Sequence, residues 1–418
     1  MNFALLGDDV RILPLIRAIQ SSALHEVSHV WEVGPQSEVG REIGRARSVA
    51  AWEELLPKDG PRAVILAGDS DDLLTASRRL LGEGKPLFVL PCLGQAASFV
   101  YELTLDQADT GAVLGPIFPL RAHPLMTKLA RLICEGELGA LLHLQLERRL
   151  MPEAGRLLAA EQMDRAFLAD ADLLRFLGGE YDQVTALRSG DPAVGFSLAS
   201  VTLSGAGKPQ AVWSASAADG HAAWMITVLG VCGSATLSGD PDRQELTLEV
   251  RKAGGSNSTF GASHRDEALK LVEAVLANAD GNRVVYTESV NASDGRDLLA
   301  LVEGVLASDE AAPRWADLTR AFDWVDATRR SLRRRRTIDL HFEELSERSQ
   351  FKSQMTAIGC GVLMFTLVAV VLYLMVAQMF VLNDTIKHLL RIAIFAPLGL
   401  FLVAQLLLSL TRTGTGRG

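Results

Sequence analysis

The sequence has 418 residues, 48% of them hydrophobic and 22% charged, which is enough for two globular domains with cores of their own. A formal net charge of -9 argues against general nucleic-acid binding by the body of the chain. The four cysteines, Cys92, Cys134, Cys232 and Cys360, have no paired short spacing, which excludes a disulfide framework or cysteine-based zinc site and fits a reducing compartment.

The N-terminal region alternates strand-like apolar runs with helical patterns. NFALLG comes first and leads into a helix that carries Leu13, Leu15 and Ile16, and the runs VSHVWEV, RAVILAG and PLFVLPCL follow. This alternation predicts a parallel sheet with right-handed crossovers, as in the doubly wound nucleotide-binding fold. The start of the chain lacks the basic residues, apolar core and cleavage site of a secretory signal, so we expect the body in the cytoplasm.

A helical pattern from Pro124 to Gly139 and the strand LLHLQLERRL lead into a different kind of sequence. Between about 180 and 250, six alternating strands follow without helices between them, which predicts a largely antiparallel sheet. These strands are QVTALRSG, GFSLASVTLSG, QAVWSASA, AAWMITVLG, SATLSG and ELTLEVRK. The later helical patterns DEALKLVEAVLANA, DGRDLLALVEGVLA and ADLTRAFDWVDATRRSL are expected to pack on one face of that sheet, which makes a second, α+β domain.

Two uncharged segments near the C-terminus have the length of membrane spans. Residues 355–382 include 28 uncharged positions and residues 392–410 include 19, so we expect a two-helix hairpin joined to the body by a linker at 341–354. The excess of Lys and Arg at Arg329 to Arg336 and near the C-terminus places both flanks in the cytoplasm, as in a multi-pass inner-membrane protein. The arginine run favours attraction to an anionic leaflet or a role in topology over nucleic-acid binding.

The order of these parts resembles the Gfo/Idh/MocA oxidoreductase family, which has a Rossmann domain followed by an α+β domain with an open antiparallel sheet. HPLMTKLARLICEGELGALLHLQLER is similar to the family's crossover between domains, and DLLRFLGGEYDQVTAL to its entry into the sheet. DLTRAFDWVDATRRSLRRRRTIDL is similar to its closing helix and last strand. The resemblance implies domains at 1–120 and 121–340, NAD or NADP as cofactor, and a sugar or cyclitol derivative as substrate.

The family's phosphate-binding turn, G-x-G-x-x-G, is incomplete in this sequence. Gly7 keeps the first position, but Asp9 stands at the second and Ile12 at the third. Asp9 would place a negative charge where the pyrophosphate lies, so we expect Asp8 or Asp9 to cap the helix start, an effect of about 1 kcal/mol. Glu32 follows the second strand, where an acidic group would bind a ribose hydroxyl. Gly7, Asp9 and Glu32 are therefore remnant cofactor-binding positions.

The family's catalytic positions are also replaced. Pro91 stands where the resemblance places the lysine of a Glu-Lys-Pro motif, and Ala169 where it places the histidine of an H-x-x-D helix, although Asp172 is retained. Lys85 and Arg121 are alternatives, but a helix-end lysine and a loop arginine are usually solvated. General acid-base catalysis needs a titratable group within hydrogen-bond reach of the transferred proton, so no catalytic residue is assigned.

No metal site is expected either. His25 and His29 would lie about 13 Å apart on a strand, which is too far to share one ion. Asp170 and Asp172 are two residues apart on a helix and point in different directions, so they do not form a carboxylate pair.

Two hypotheses follow from these replacements. The first is a membrane-anchored relative of the family that has lost catalysis and binds a small molecule or a protein partner, with or without a dinucleotide, either as a single chain or as a homo-oligomer. The second is an active NAD(P)-dependent oxidoreductase acting on a sugar or cyclitol derivative. The three separate replacements at one active site favour the first.

Overall fold

The structure is a computed structural model. It describes residues 1–340 except 45, 58–59, 154, 192, 241–244, 253–282, 290–294 and 310–311, and after residue 340 it describes 364–366, 368–370, 372 and 375. Met1–Leu340 and His341–Gly418 are two separate compact units. The elements below belong to the first unit, and the predicted helix DEALKLVEAVLANA lies outside the described residues.

The N-terminal half forms the predicted parallel sheet. Its six strands lie in the order β3-β2-β1-β4-β5-β6, and all five neighbouring pairs are parallel. The strands are β1 Asn2–Leu6, β2 Glu26–Trp31, β3 Arg47–Ser48, β4 Ala63–Leu66, β5 Leu87–Val89 and β6 Leu114–Pro116, and the helices between them are α1 Leu13–Ser21, α2 Glu38–Ile43, α3 Asp71–Gly82 and α4 Ala96–Thr110. The strand order reverses beside β1, so β1 and β4 flank a topological switch point, where ligands bind in open α/β sheets.

The second half forms a mixed, mostly antiparallel sheet. Its nine strands lie in the order β14-β13-β12-β11-β7-β10-β9-β8-β15, with β7 and β10 parallel and the other neighbours antiparallel. The strands are β7 Leu141–Leu150, β8 Gln183–Asp191, β9 Gly195–Ser204, β10 Gln210–Ala217, β11 Ala223–Gly230, β12 Gly233–Asp240, β13 Glu245–Lys252, β14 Arg283–Ser289 and β15 Ile338–Asp339. All six strands predicted between about 180 and 250 are confirmed.

Two long helices cover one face of this sheet. The remaining helices of the described residues are α5 Pro124–Cys134, α6 Ala160–Gly178, α7 Arg296–Leu306 and α8 Trp315–Arg334. Helix α6 brings Phe167 against Trp213 of β10, with their ring centroids 5.1 Å apart, and α8 brings Trp324 against Tyr181 at 5.8 Å. These large side chains are almost fully buried and make the centre of the second core.

Helix α7 packs differently from the prediction. We expected DGRDLLALVEGVLA to lie on the antiparallel sheet, but Leu298, Leu299 and Val302 belong to the core beneath the parallel sheet. A Cβ atom at Gly115 of β6 would meet Val305 at 2.5 Å, so the glycine lets the helix approach the strand closely. The expectation is wrong because an amphipathic pattern shows which face of a helix is buried but does not identify the sheet that buries it.

Among the described residues, no helix is both long enough and apolar enough to cross a bilayer. The predicted span at 392–410 and the linker at 341–354 lie outside the described residues, as does most of the span at 355–382. Both spans therefore remain predictions.

Candidate functional site

The turn after β1 is held between two neighbouring strands. Gly7 has φ +84°, and its N–H donates to the carbonyl of Trp31 at 3.0 Å. A Cβ at this position would lie 2.5 Å from the carbonyl oxygen of Ala67, and the N–H of Asp9 donates to that same oxygen at 3.0 Å. Gly7 is therefore required by the close approach of two backbones at the switch point.

The carboxylate of Asp9 caps the helical turn that follows. Its Oδ1 accepts the backbone N–H of Arg11 at 3.0 Å, at the start of a 3₁₀ turn over Val10–Ile12 that leads into α1. The Arg11 side chain also donates from Nε to Oδ1 at 3.0 Å and from Nη2 to Oδ2 at 2.7 Å. The expectation that an aspartate caps this helix start is confirmed for Asp9. Arg11 was not foreseen, because its position in the sequence does not show that it folds back onto Asp9.

Charge compensation keeps Asp9 ionised. Burial raises the pKa of the Asp9 carboxyl, but the hydrogen bonds and positive charge of Arg11 outweigh it, so the pKa lies below its usual value. The helix start therefore holds a carboxylate of the chain itself, at the place where a Rossmann fold positions a pyrophosphate.

Cys92 completes this group from the end of β5. Arg11 Nη2 lies 3.2 Å from Cys92 Sγ, and Sγ lies 3.5 Å from Oδ2 of Asp9. Burial raises the pKa of the thiol to about 12, so Cys92 is protonated and is not an activated nucleophile. Together Asp9, Arg11 and Cys92 form what we call the turn cluster.

Other acidic side chains accept hydrogen bonds from backbone N–H groups and a hydroxyl along the same edge of the sheet. Asp8 Oδ2 accepts the N–H of Gly34 at 3.2 Å. Asp8, which was the alternative candidate for the helix cap, therefore has a different partner. Asp69 Oδ2 accepts the N–H of Gly94 at 2.9 Å. Glu32, which has φ +53°, accepts the hydroxyl of Ser70 at 2.9 Å. The remnant positions Gly7, Asp9 and Glu32 thus lie at one edge, and both acidic side chains are engaged within the chain.

Gln95 ties two strand ends together beside Pro91. Its side chain is fully buried, and Nε2 donates to the carbonyls of Leu90 at 2.8 Å and Gly68 at 3.1 Å. Its Oε1 accepts the N–H of Cys92 at 3.1 Å. The position that the resemblance assigned to a lysine is therefore next to a closed hydrogen-bond network.

Helix α6 carries Ala169 and, after it, Asp170 and Asp172. Asp170 is fully buried and accepts Nε and Nη2 of Arg148 at 2.6 and 2.8 Å. It also accepts the indole N–H groups of Trp213 at 2.8 Å and Trp224 at 3.3 Å. Four donors thus satisfy one buried carboxylate, which gives Asp170 a structural role in joining α6 to the sheet.

Asp172 faces a second set of charges. Arg121 Nη1 lies 3.2 Å from Asp172 and 2.8 Å from Asp317 of α8, and Arg175 pairs with both aspartates. Burial raises the pKa of Asp172 to about 6, although Arg121 opposes that shift. Asp170 and Asp172 thus point to different partners, as predicted, since Asp170 pairs with Arg148 and Asp172 with Arg121.

Arg121 and Lys85, the two alternatives considered in the sequence, both have partners within the chain. We expected Arg121 to be solvated, as loop arginines usually are. Its side chain is instead only 13% exposed, and its guanidinium stacks 4.3 Å from the Phe176 ring centroid. Lys85 is also engaged, since Nζ donates to the carbonyls of Pro57 and Pro61 at 2.9 and 3.0 Å. The expectation of solvation fails at both positions because each cation meets acceptors brought from distant parts of the chain.

No group of histidine, cysteine and acidic residues suited to a metal ion occurs in the described part of the chain. His25 pairs with Glu303 of α7, at 2.7 Å between Nε2 and Oε1, whereas His29 Nδ1 lies 2.9 Å from the hydroxyl of Ser28. The two histidines therefore face different partners.

The fold and the arrangement of its two sheets match NAD-dependent oxidoreductases of the Gfo/Idh/MocA type at low sequence identity. A levoglucosan dehydrogenase in complex with NADH and levoglucosan aligns with a TM-score of 0.62 and 16% identity, covering 82% of this chain and 100% of that one. An oxidoreductase from Agrobacterium radiobacter in complex with NAD+, L-tartaric acid and magnesium aligns with a TM-score of 0.59 and 16% identity, covering 81% and 98%.

A protein from Sinorhizobium meliloti 1021 assigned as a myo-inositol dehydrogenase aligns with a TM-score of 0.59 and 20% identity, covering 82% of this chain and 100% of that one. No family model matches the sequence, and no curated protein matches it. At these identities, the likeness establishes the fold alone.

Proposed function

We propose that this chain is a membrane-anchored, non-catalytic binding module built on the fold of NAD-dependent oxidoreductases. The turn cluster carries the proposal. Asp9, held by Arg11, already provides the negative charge at the helix start, where the fold would otherwise receive a phosphate.

Electrostatics at this edge supports the proposal. A phosphate entering the turn would approach the ionised Asp9, and Asp8, Glu32 and Asp69 lie along the same strand ends. Two like charges 4 Å apart repel by about 4 kcal/mol near a protein surface. Arg11 lowers this repulsion, but its Nε and Nη2 donors are already bonded to Asp9, so they do not replace it with a contact to the phosphate. The edge therefore favours a neutral or cationic ligand over a dinucleotide.

The surroundings of the replaced catalytic positions point the same way. Pro91 and Ala169 have no transferable proton, and Cys92 beside Pro91 is a protonated thiol. Asp170 is committed to Arg148 and two indoles. These side chains hold strand and helix ends together, which suits a rigid platform that binds a small molecule or a protein at the cytoplasmic membrane face.

A titration of the full chain in detergent with NADH and with NADPH tests the proposal, using energy transfer from tryptophan to the nicotinamide. We expect no saturable signal up to millimolar cofactor, whereas a dinucleotide-binding oxidoreductase of the same fold should saturate under identical conditions. Saturable binding at micromolar cofactor would overturn it. The anchoring is tested separately, because a chain with two spans should stay in the membrane after alkaline carbonate extraction.

One observation favours an active NAD(P)-dependent oxidoreductase acting on a sugar or cyclitol derivative as the second candidate. Glu32 lies at the end of β2, where a ribose-binding carboxylate belongs, and its partner Ser70 could release it. Under this candidate, Glu32→Ala would weaken NADH binding at least tenfold. Under the binding-module proposal, the same substitution leaves the absence of binding unchanged.

A further inference from the structure

Four consecutive arginines form an exposed, fixed turn at the end of α8. Arg333, Arg334, Arg335 and Arg336 are all exposed, and α8 ends at Arg334 with Arg335 in the left-handed conformation (φ 50°, ψ 42°). We call Arg333–Arg336 the arginine turn. The two earlier arginines of the same run are paired, Arg329 with Asp164 at 2.8 Å and Arg330 with Asp326 at 3.2 Å. Within the described residues, none of the four in the arginine turn takes part in an ion pair.

The backbone of the arginine turn is held by the protein core. The fully buried hydroxyl of Ser331 donates to the carbonyl of Arg336 at 2.7 Å and accepts the N–H of Ala186 at 3.0 Å. After the turn, Ile338–Asp339 pairs with β8, and the N–H of Leu340 donates to the carbonyl of Asp182 at 2.7 Å. The cationic groups are thus presented from a rigid base, which lowers the entropy lost when they bind.

A helix end does not by itself require this many charges. The helix dipole favours cations in the last turn, and its effect fades beyond it. Arg335 and Arg336 lie past the last helical residue, on the segment that turns back toward β15. The helix dipole therefore does not account for Arg335 and Arg336, and their exposed positive charge is complementary to an anionic partner outside the described body.

The position of the arginine turn in the sequence indicates the nature of that partner. The predicted span begins at residue 355, and the 14 residues between Leu340 and the span reach at most about 50 Å when extended. A tether of this length keeps the turn at high effective concentration beside the bilayer. Each basic residue close to an anionic leaflet strengthens binding by about fivefold.

We propose that the arginine turn binds the headgroups of anionic phospholipids and so docks the body on the cytoplasmic leaflet. The proposal rests on the membrane anchoring in the proposed function, but not on whether the chain binds a dinucleotide. Because the rest of the body is acidic, the same leaflet attracts the arginine turn and repels most other surfaces.

The test uses the full chain in nanodiscs of phosphatidylcholine, with or without 30% phosphatidylglycerol, and hydrogen exchange of the segment 331–340. We expect exchange to slow at least fivefold in the anionic discs and this protection to disappear in 0.5 M NaCl. Replacing Arg333, Arg334, Arg335 and Arg336 with Gln should abolish the protection. A control with the same charge change at exposed sites, Arg41, Arg62, Arg79 and Arg131 replaced with Gln, should retain it.

Equal exchange in the two kinds of disc would overturn the proposal, as would protection that survives in the quadruple arginine-turn variant. If a short RNA added to neutral discs gave the same protection, the arginine turn would instead be a nucleic-acid-binding site. Release of the chain by carbonate would defeat the anchoring itself, and binding of the full chain to free anionic vesicles would then still decide whether the arginine turn recognises lipid.

Discussion

Arg11 contacts both carboxylate oxygens of Asp9, with Nε 3.0 Å from Oδ1 and Nη2 2.7 Å from Oδ2. The two residues are only two positions apart, and their pair lies at the helix start that faces the switch point of the parallel sheet. A paired guanidinium and carboxylate neutralise each other, so the turn has a balanced local charge without a bound ligand.

Removing the carboxylate should convert the turn into an anion site. In Asp9→Ala, Arg11 and its backbone N–H lose their acceptor at a helix start, which is where phosphate binds readily. We expect inorganic pyrophosphate to bind at least about tenfold more tightly than to wild type by calorimetry, and stability to fall by about 1 to 2 kcal/mol.

The matched control is Asp69→Ala, which removes one negative charge from the same edge but leaves Arg11 paired. Its pyrophosphate affinity should stay close to wild type. If both variants gained affinity equally, general charge reduction and not release of Arg11 would be the cause.

Two glycines with nearly the same backbone conformation should tolerate alanine very differently. Gly7 and Gly84 have φ +84° and +80°, but a Cβ on Gly84 would meet no atom within 4 Å, whereas one on Gly7 would lie 2.5 Å from a backbone oxygen. Gly84→Ala should cost about 1 kcal/mol from the left-handed conformation alone. Gly7→Ala should cost about 2 kcal/mol more, because Ala67 cannot move without disturbing β4. Denaturant unfolding of both variants measures the difference, and equal costs would mean that the turn relaxes freely.

Much of the fold was predictable because its signals are local. Alternating apolar residues identified β8 to β13, and the crossover pattern identified the parallel sheet, since both depend on neighbouring positions in the sequence. The cap at Asp9 was predictable for the same reason, because an N-cap acts on the next two or three residues.

The remaining features depend on contacts between distant segments. Cys92 meets Arg11 across 81 positions because β1 and β5 both end at the carboxyl edge of the parallel sheet. Asp170 meets Trp213 and Trp224 only after α6 lies across the second sheet. No local pattern encodes such pairs, and for the same reason the packing of α7 was assigned to the wrong sheet.

The buried Asp170 cluster should be costly to break on one side. Asp170→Ala would leave Arg148 without its bidentate partner and two indole N–H groups without an acceptor. We expect a loss of about 3 to 5 kcal/mol in unfolding free energy, with a shift in tryptophan emission. Asp219→Ala, at an exposed position, should change stability by less than about 0.5 kcal/mol.

The paired replacement Arg148→Met with Asp170→Leu separates charge burial from packing. Because it removes both charges together, it should be less destabilising than Asp170→Ala alone. A larger loss in the double variant would show that the side-chain volumes, and not the ion pair, hold α6 on the sheet.

His123 should make stability depend on pH in the mildly acidic range. Its Nδ1 caps α5 by accepting the N–H of Leu125 at 3.2 Å, and burial lowers the pKa of the ring to about 4. The folded chain therefore keeps His123 neutral, while the unfolded chain takes up a proton below about 6.5. The unfolded state binds more protons in this range, so stability is full above pH 6.5 and declines as the pH falls toward 4.

One pKa unit is worth about 1.4 kcal/mol, so we expect the unfolding free energy of wild type to fall by about 2 kcal/mol between pH 7 and pH 5 through this residue. His123→Asn supplies a good N-cap that does not titrate, so the difference in unfolding free energy between the variant and wild type should grow in the variant's favour as the pH falls. His221→Asn, which replaces an exposed histidine, should follow the wild-type curve. Parallel curves for wild type and His123→Asn would mean that the ring is protonated in the fold and that α5 is capped in some other way.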